Sequence, residues 1–250
     1  MILFKKILFY PFSLLTFLTK QLSLYLFNRG IWKSVEFETP VISLNTLMNE
    51  PTPLEILLLL KLIFIQHTQD SALIIDRKQK VNANLKIKKN EFSYLKRIEG
   101  TVENVFIASH LVLGISELIY NHNELHCVLL GNEKFIGPIR PEGRILVVDY
   151  QRAFYESEYW PIGELIELKS NHVLADFVIL YNTPQKYSIQ RAKREIADRI
   201  DDSLKVGVIF DNELPSLEDF LSQKPREQLI NIEDRDTFEK TLIEIIEKEV

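Results

Sequence analysis

The sequence predicts an α/β protein, a mostly parallel sheet flanked by helices, preceded by an apolar N-terminal helix. Two patterns carry this expectation. After residue 40, short β-branched runs alternate with helical stretches, the order expected when crossover helices join the strands of one parallel sheet. Before residue 28, leucine and phenylalanine dominate a continuous segment. A chain of 250 residues, 46% hydrophobic and 26% charged, is long enough to bury a proper core and has ordinary globular composition.

Each element follows from its residues. The longest charge-free run of the N-terminal segment, Ile7 to Thr19, is 13 residues and contains Pro11, whereas a helix needs about 20 residues to span a bilayer. From Pro11 onward, Ser13, Thr16, Thr19, Lys20 and Ser23 fall on one narrow helical stripe, with Leu and Phe around the rest. That composition predicts residues 1–28 as a helix lying in a membrane interface, with Phe12, Leu15, Leu18, Leu22 and Phe27 toward lipid and Lys5, Lys6, Lys20 and Arg29 available to anionic headgroups. The competing readings are a core helix, a signal peptide and a spanning segment; no small-x-small cleavage site follows. Residues 29–250 are assigned to the α/β domain. Strands are expected at Pro40–Ser43, Ala72–Asp76, Val105–Ala108, Cys127–Leu130, Arg144–Asp149, Asp176–Tyr181 and Lys205–Phe210. Helices are expected at Pro53–Gln66, Leu111–Asn121, Ile189–Asp201 and Thr237–Lys248, with a short one at Ser216–Ser222.

Composition excludes several kinds of chemistry. A net charge of −5 gives no reason to expect nucleic-acid binding. The single cysteine, Cys127, lies in an apolar run, rules out an intramolecular disulfide or a multi-cysteine zinc site, and reads as a core residue. His122 and His126 flank a turn and read as solvated, so no metal site is expected; no G-x-S-x-G elbow supports a hydrolase. The basic run Arg77 to Arg97 reads either as a solvated face or as an added headgroup attraction.

The stretch Pro40 to Pro53, PVISLNTLMNEPTP, is the most informative. A β-branched strand runs through a short loop into an apolar helix, the setting in which nucleotide-binding proteins keep a glycine-rich phosphate loop. This loop has no glycine, and no lysine before Lys61.

Several segments, in order, resemble the tetraacyldisaccharide 4'-kinase family of lipid A biosynthesis. Pro11-Phe12-Ser13-Leu14-Leu15 and Asn28-Arg29-Gly30-Ile31-Trp32-Lys33-Ser34 are similar to that family's membrane helix and "RGILKS" turn. Pro40-Val41-Ile42-Ser43 resembles "PVISVGN", and Ile145 to Arg152 resembles "ILLVDYNR". Trp160 to Glu167 is similar to "LPAGRLRE", and Leu174 to Pro184 to "RADIVIVTKCP". The resemblance implies a P-loop-NTPase-like fold at the cytoplasmic face of the bacterial inner membrane and ATP-dependent phosphorylation of a lipid A precursor.

The departures fall where the chemistry belongs. Against the family's "GNLTVGGTGKTP", Leu44 to Pro53 is shorter, Pro51 stands where the lysine belongs, Glu50 brings a negative charge, and only Thr52 keeps a matching hydroxyl. The "DEP" base is matched by Asn90-Glu91-Phe92, and "LLDDAFQHR" by Leu129 to Phe135, without its aspartates or histidine. "FPDHHxF" is matched by Ile232 to Phe238, with Arg235 in place of a histidine, and the second arginine of "GRLRE" falls at Ile166. Phosphoryl transfer rests on positioning and charge neutralisation, so these losses predict a non-catalytic copy.

The expectation is therefore a peripheral inner-membrane protein that binds or scaffolds in lipid A or envelope biogenesis. Its partner would be the lipid surface, a lipid A precursor or an envelope protein, with no catalytic residue and no cofactor. Thr52 would be the remnant of the nucleotide site, and Asp149 and Glu167 would contact the lipid substrate. The alternative is an active kinase using ATP and Mg²⁺ through a rebuilt site of Thr52, Asp76, Glu91, Asp149 and Glu167.

Overall fold

The computed structural model describes residues 2–68, 70–76, 87, 92–98, 103–122, 124–133, 135, 137–152, 157–184, 190–191, 194, 198 and 205–210. In chain order the elements are α1 (Ile2–Asn28), β1 (Val41–Asn45), α2 (Leu54–Thr68), β2 (Ser71–Asp76), β3 (Leu95–Arg97), β4 (Val105–Ala108), α3 (Leu111–Asn121), β5 (Cys127–Glu133), β6 (Gly143–Asp149), β7 (Phe177–Thr183) and β8 (Lys205–Phe210). The strands form one sheet in the order β3-β4-β2-β5-β1-β6-β7-β8, parallel except for β3, which runs antiparallel to β4 at one edge. β1 lies between β5 and β6, and the loop after it opens at the carboxyl edge of the sheet.

The apolar runs decide the layers. Ile42 and Leu44 of β1, Leu73 and Ile75 of β2, Leu129 of β5, Ile145 and Val147 of β6 and Ile179 of β7 point to one face, where α2 covers them. Ile56 to Leu60 and Leu62 to Phe64 of α2 are buried, as a helix apolar on all sides requires. The packing is close enough to need a glycine: a Cβ on Gly131 of β5 would stand 2.9 Å from Leu57 Cδ1. Lys61, in the middle of this helix, is buried and donates to the carbonyl and hydroxyl of Ser71 at the start of β2. Its ammonium therefore serves the amino edge of the sheet and not the loop after β1.

On the opposite face, α3 covers the β4-β2-β5 half through Ile115 and Leu118. Over β6 and β7, Leu47 and Leu165 pack on Leu146, Val148, Val178 and Leu180. α1 is 27 residues long, about 40 Å. It ends in a left-handed Gly30 (φ 67°), with the Gly30 N–H donating to Phe27 O and the Ile31 N–H to Leu26 O, the closure that glycine allows. Over Ile7–Asn28 it is long and apolar enough to cross a membrane by length and composition, with only 6% of its apolar window buried.

The sheet is the one expected, with differences at its ends. β5 continues through Gly131 to Glu133 and β7 to Thr183, past the apolar stretches, because neighbouring strands still offer pairing partners there. β3 was not expected: three residues in a charged run carry no period of their own and pair only because β4 presents an open edge. Of the helix expected over 189–201, residues 190, 191, 194 and 198 are described, and all are helical. The expected helices at 216–222 and 237–248, Asn90-Glu91, Ile232 to Phe238 and most of the basic run lie outside the described residues.

Leu57→Ala opens a void between α2 and Gly131 and is expected to cost about 2–5 kcal/mol in urea unfolding with an unchanged m value. A loss under about 1 kcal/mol would contradict the α2 packing.

Candidate functional site

The carboxyl edge of a parallel sheet is where α/β proteins bind ligands. Here it carries the loop from Thr46 to Pro53 after β1, Asp76 after β2 and Asp149 at the end of β6. A phosphate loop needs free backbone N–H groups pointing at one anion. In this loop two of them are committed elsewhere. The Met48 N–H donates to Thr46 Oγ1 at 3.2 Å and the Asn49 N–H to Glu164 O at 2.7 Å, while Pro51 and Pro53 have none. Leu47 O accepts from the Ile166 N–H at 3.0 Å and the Glu167 N–H at 3.4 Å, and Met48 and Leu165 form an antiparallel bridge. The loop is thus one side of a short zipper whose other side is the segment 164–167. Leu47 drives it: its side chain is buried among Leu146, Val148 and Leu165, where it anchors the loop to the sheet.

Electrostatics at the same edge oppose a polyphosphate. Glu50 pairs with Arg152, which follows β6, and both are more than half exposed. Arg152 is held above its ordinary value, first by the hydrogen bond it donates to the Glu50 carboxylate and then by the charges of Glu50, Glu164 and Asp149. Tyr181 of β7, beside Asp149 in register, is raised by burial and then by the negative charges of Asp149 and Glu50. Three carboxylates thus surround one guanidinium.

The residues singled out by sequence are dispersed. Thr52 is buried just ahead of α2. Asp149 accepts from the Gln151 N–H at 2.9 Å and from Asn182 Nδ2 at 3.1 Å, which closes the turn after β6. Asp76 ends β2, three strands from β6 and so about 14 Å away, too far for both carboxylates to share one ion. No group of three or more metal-ligating side chains occurs among the described residues. ATP and Mg²⁺, implied by the resemblance, do not fit this edge: its Met48 and Asn49 amides are engaged, its loop has two prolines, and three carboxylates stand against one guanidinium.

The Glu167 side chain is engaged with α1. It is 2% exposed, and its carboxylate accepts from Lys20 Nζ at 2.5 Å and from Asn171 Nδ2 at 3.3 Å. The Ser13 hydroxyl donates to Tyr159 O at 2.9 Å, and Phe17 packs on the Tyr159 ring at 5.3 Å. The polar stripe of α1 therefore divides. Ser13 and Lys20 face the domain, while Thr16, Thr19 and Ser23 donate to carbonyls of their own helix. The docking partner is the segment 158–167, whose turn needs Gly163: a Cβ there would stand 2.3 Å from Glu158 O. Sequence reasoning missed Ser13 and Lys20 as docking residues. Their helical spacing was visible, but a partner 146 or 147 residues away has no local signal.

The apolar side of α1 faces outward. Phe12 (57%), Leu15 (58%), Leu18 (52%) and Leu22 (56%) are exposed, and Phe27 lies partly buried against Trp32 with ring centroids 5.4 Å apart.

No protein-family model matches the chain, and no curated protein matches it. Among solved structures, LpxK from Aquifex aeolicus in complex with ATP aligns over 95% of this chain and 98% of its own, at 12% identity and a TM-score of 0.59. The fold is P-loop-NTPase-like. The MinC:MinD cell division protein complex from the same organism aligns over 82% of this chain and 96% of its own, at 14% identity and a TM-score of 0.43, too low to carry an argument.

Lys20→Met leaves the Glu167 carboxylate buried with Asn171 alone. It is expected to destabilise the protein by about 3 kcal/mol, the low end for a broken buried pair because Lys20 is 23% exposed. Adding Glu167→Gln should restore most of that loss in a double-mutant cycle, whereas additive single effects would contradict a direct pair.

Proposed function

We propose that this protein is a membrane-surface member of the kinase-like P-loop fold that transfers no phosphate, and that it binds or scaffolds in lipid A or envelope biogenesis. The observation that carries this reading is the zipper: the Met48 and Asn49 amides of the loop after β1 are engaged by Thr46 Oγ1 and Glu164 O. Lost residues alone leave room for replacements; the two engaged amides support the reading that none has been made. The order of segments resembling the lipid A 4'-kinase family and the likeness to LpxK support the same fold.

The membrane part of the proposal rests on α1. A row of exposed Phe and Leu on a helix whose Ser13 and Lys20 are taken up by the domain is an unfavourable surface in water and a favourable one in the acyl boundary of a bilayer. Residues 1–28 form the interfacial element, residues 29–250 the domain it carries, and the surface is the cytoplasmic face of the inner membrane. The partner is a lipid A precursor or an envelope protein. Asp149 stays assigned to the substrate side at the carboxyl edge. The part of Glu167 in this reading is to hold α1 in place.

Leu15→Ser, Leu18→Ser and Leu22→Ser together alter only exposed side chains, so the domain should stay folded. The native protein should float with inner-membrane-like vesicles and the triple variant should sediment. Equal flotation of both would overturn the interfacial role of α1, and phosphate transfer from ATP to a lipid A precursor would overturn the non-catalytic reading.

A further inference from the structure

A cavity of about 820 Å³ opens at the other end of the molecule from the loop after β1. It lies between the last turn of α1, residues 30–36, residues 137–140, the start of β6 and residues 170–174. Its size falls in the range of small-molecule sites, roughly 300–1,000 Å³. Its lining combines two chemistries. Leu24, Phe27, Trp32 and Ile139 are apolar. Lys33, Arg140 and Arg144 are cationic, with Glu36 as the acid among them.

The charges do not cancel. Glu36 is taken up by Arg140 at 2.7 Å, in a pair exposed on both sides. Arg144 is different. Its backbone N–H donates to Asp176 Oδ2 at 2.9 Å, and its buried Nε has no hydrogen-bond partner. Burial lowers its pKa, against an opposing pull from Asp176, so an anion near the guanidinium would relieve a real desolvation cost. Lys33 is exposed at the rim. The walls are held by backbone: the Val35 N–H donates to Pro138 O at 2.8 Å, the Arg140 N–H to Val35 O at 3.0 Å, and the Ser34 hydroxyl to Gly137 O at 3.0 Å. A neighbouring hollow of about 480 Å³ shares Leu24 and Asn28 and passes Tyr25 and Arg29 on α1.

We propose that this cavity binds the phosphate headgroup of an anionic phospholipid, with the phosphate against Arg144 and Lys33 and the acyl chains along Leu24, Phe27 and Trp32. Guanidinium and ammonium groups recognise phosphate by charge-assisted hydrogen bonds, and the apolar wall at the end of α1 is what a free phosphate would leave in water. The proposal deepens the membrane-surface reading and rests on it for its lipid source. It places a headgroup at the amino edge of the sheet, remote from Thr52 and Asp149.

The test uses Trp32, which lines the cavity, in a Trp160→Phe protein where it is the remaining tryptophan. Dihexanoylphosphatidylglycerol, kept below its micelle concentration, should give a saturable change in Trp32 fluorescence. Dihexanoylphosphatidylcholine and inorganic phosphate should each bind about tenfold more weakly or worse. Arg144→Gln should weaken the anionic lipid by about tenfold, and Lys33→Gln, at an exposed position that leaves folding untouched, by a smaller factor. Equal binding of inorganic phosphate would overturn the lipid source, and an unchanged affinity in both variants would overturn the site. Because the lipid is monomeric, this titration is independent of flotation: saturable binding by a protein that does not float sinks the membrane reading and leaves the cavity standing.

Discussion

A short backbone zipper between the loop after β1 and the segment 164–167 fixes the rest of the molecule. Once Leu47 is buried against β6 and β7, its carbonyl and the neighbouring amides must find partners away from water. The Ile166 and Glu167 N–H groups and the Glu164 carbonyl supply them. The same segment, through Tyr159 and the buried Glu167, holds Ser13, Phe17 and Lys20 of α1. One chain of contacts thus runs from the carboxyl edge of the sheet to the apolar helix, and its first link uses the Asn49 amide of the loop after β1.

That chain also explains the orientation of α1. An amphipathic helix on a soluble protein turns its apolar face inward. Here the domain takes the serine and the lysine, threonines satisfy themselves against their own helix, and Phe12, Leu15, Leu18 and Leu22 point outward. The buried carboxylate of Glu167 makes the docking specific, because withdrawing Lys20 would leave a desolvated charge.

The sheet was legible because its strands are β-branched runs long enough to show a pattern, and α2 because nine apolar residues in eleven leave a helix nowhere to go but the core. The unusual chemistry of the loop after β1 was legible in Glu50 and Pro51 directly. The contacts that hold that loop were not. Leu47 reads as an ordinary loop residue, and its burial depends on Leu165, which is 118 positions away. Glu167 reads as a ligand contact because an acid in a motif suggests one; only the fold brings Lys20 to it. Arg144 is hidden for a similar reason, as a charge at the head of an apolar strand gives no hint of the cavity formed by the end of α1.

The engaged Met48 and Asn49 amides, with Glu50, Asp149 and Glu164 around Arg152, disfavour a phosphate at this edge. Calorimetric titration with Mg-ATP addresses it most directly. No saturable heat is expected up to millimolar nucleotide, where a Kd of 1 mM would correspond to about −4 kcal/mol. A micromolar site would contradict it, since such binding would require the zipper to open and its amides to turn to the phosphate.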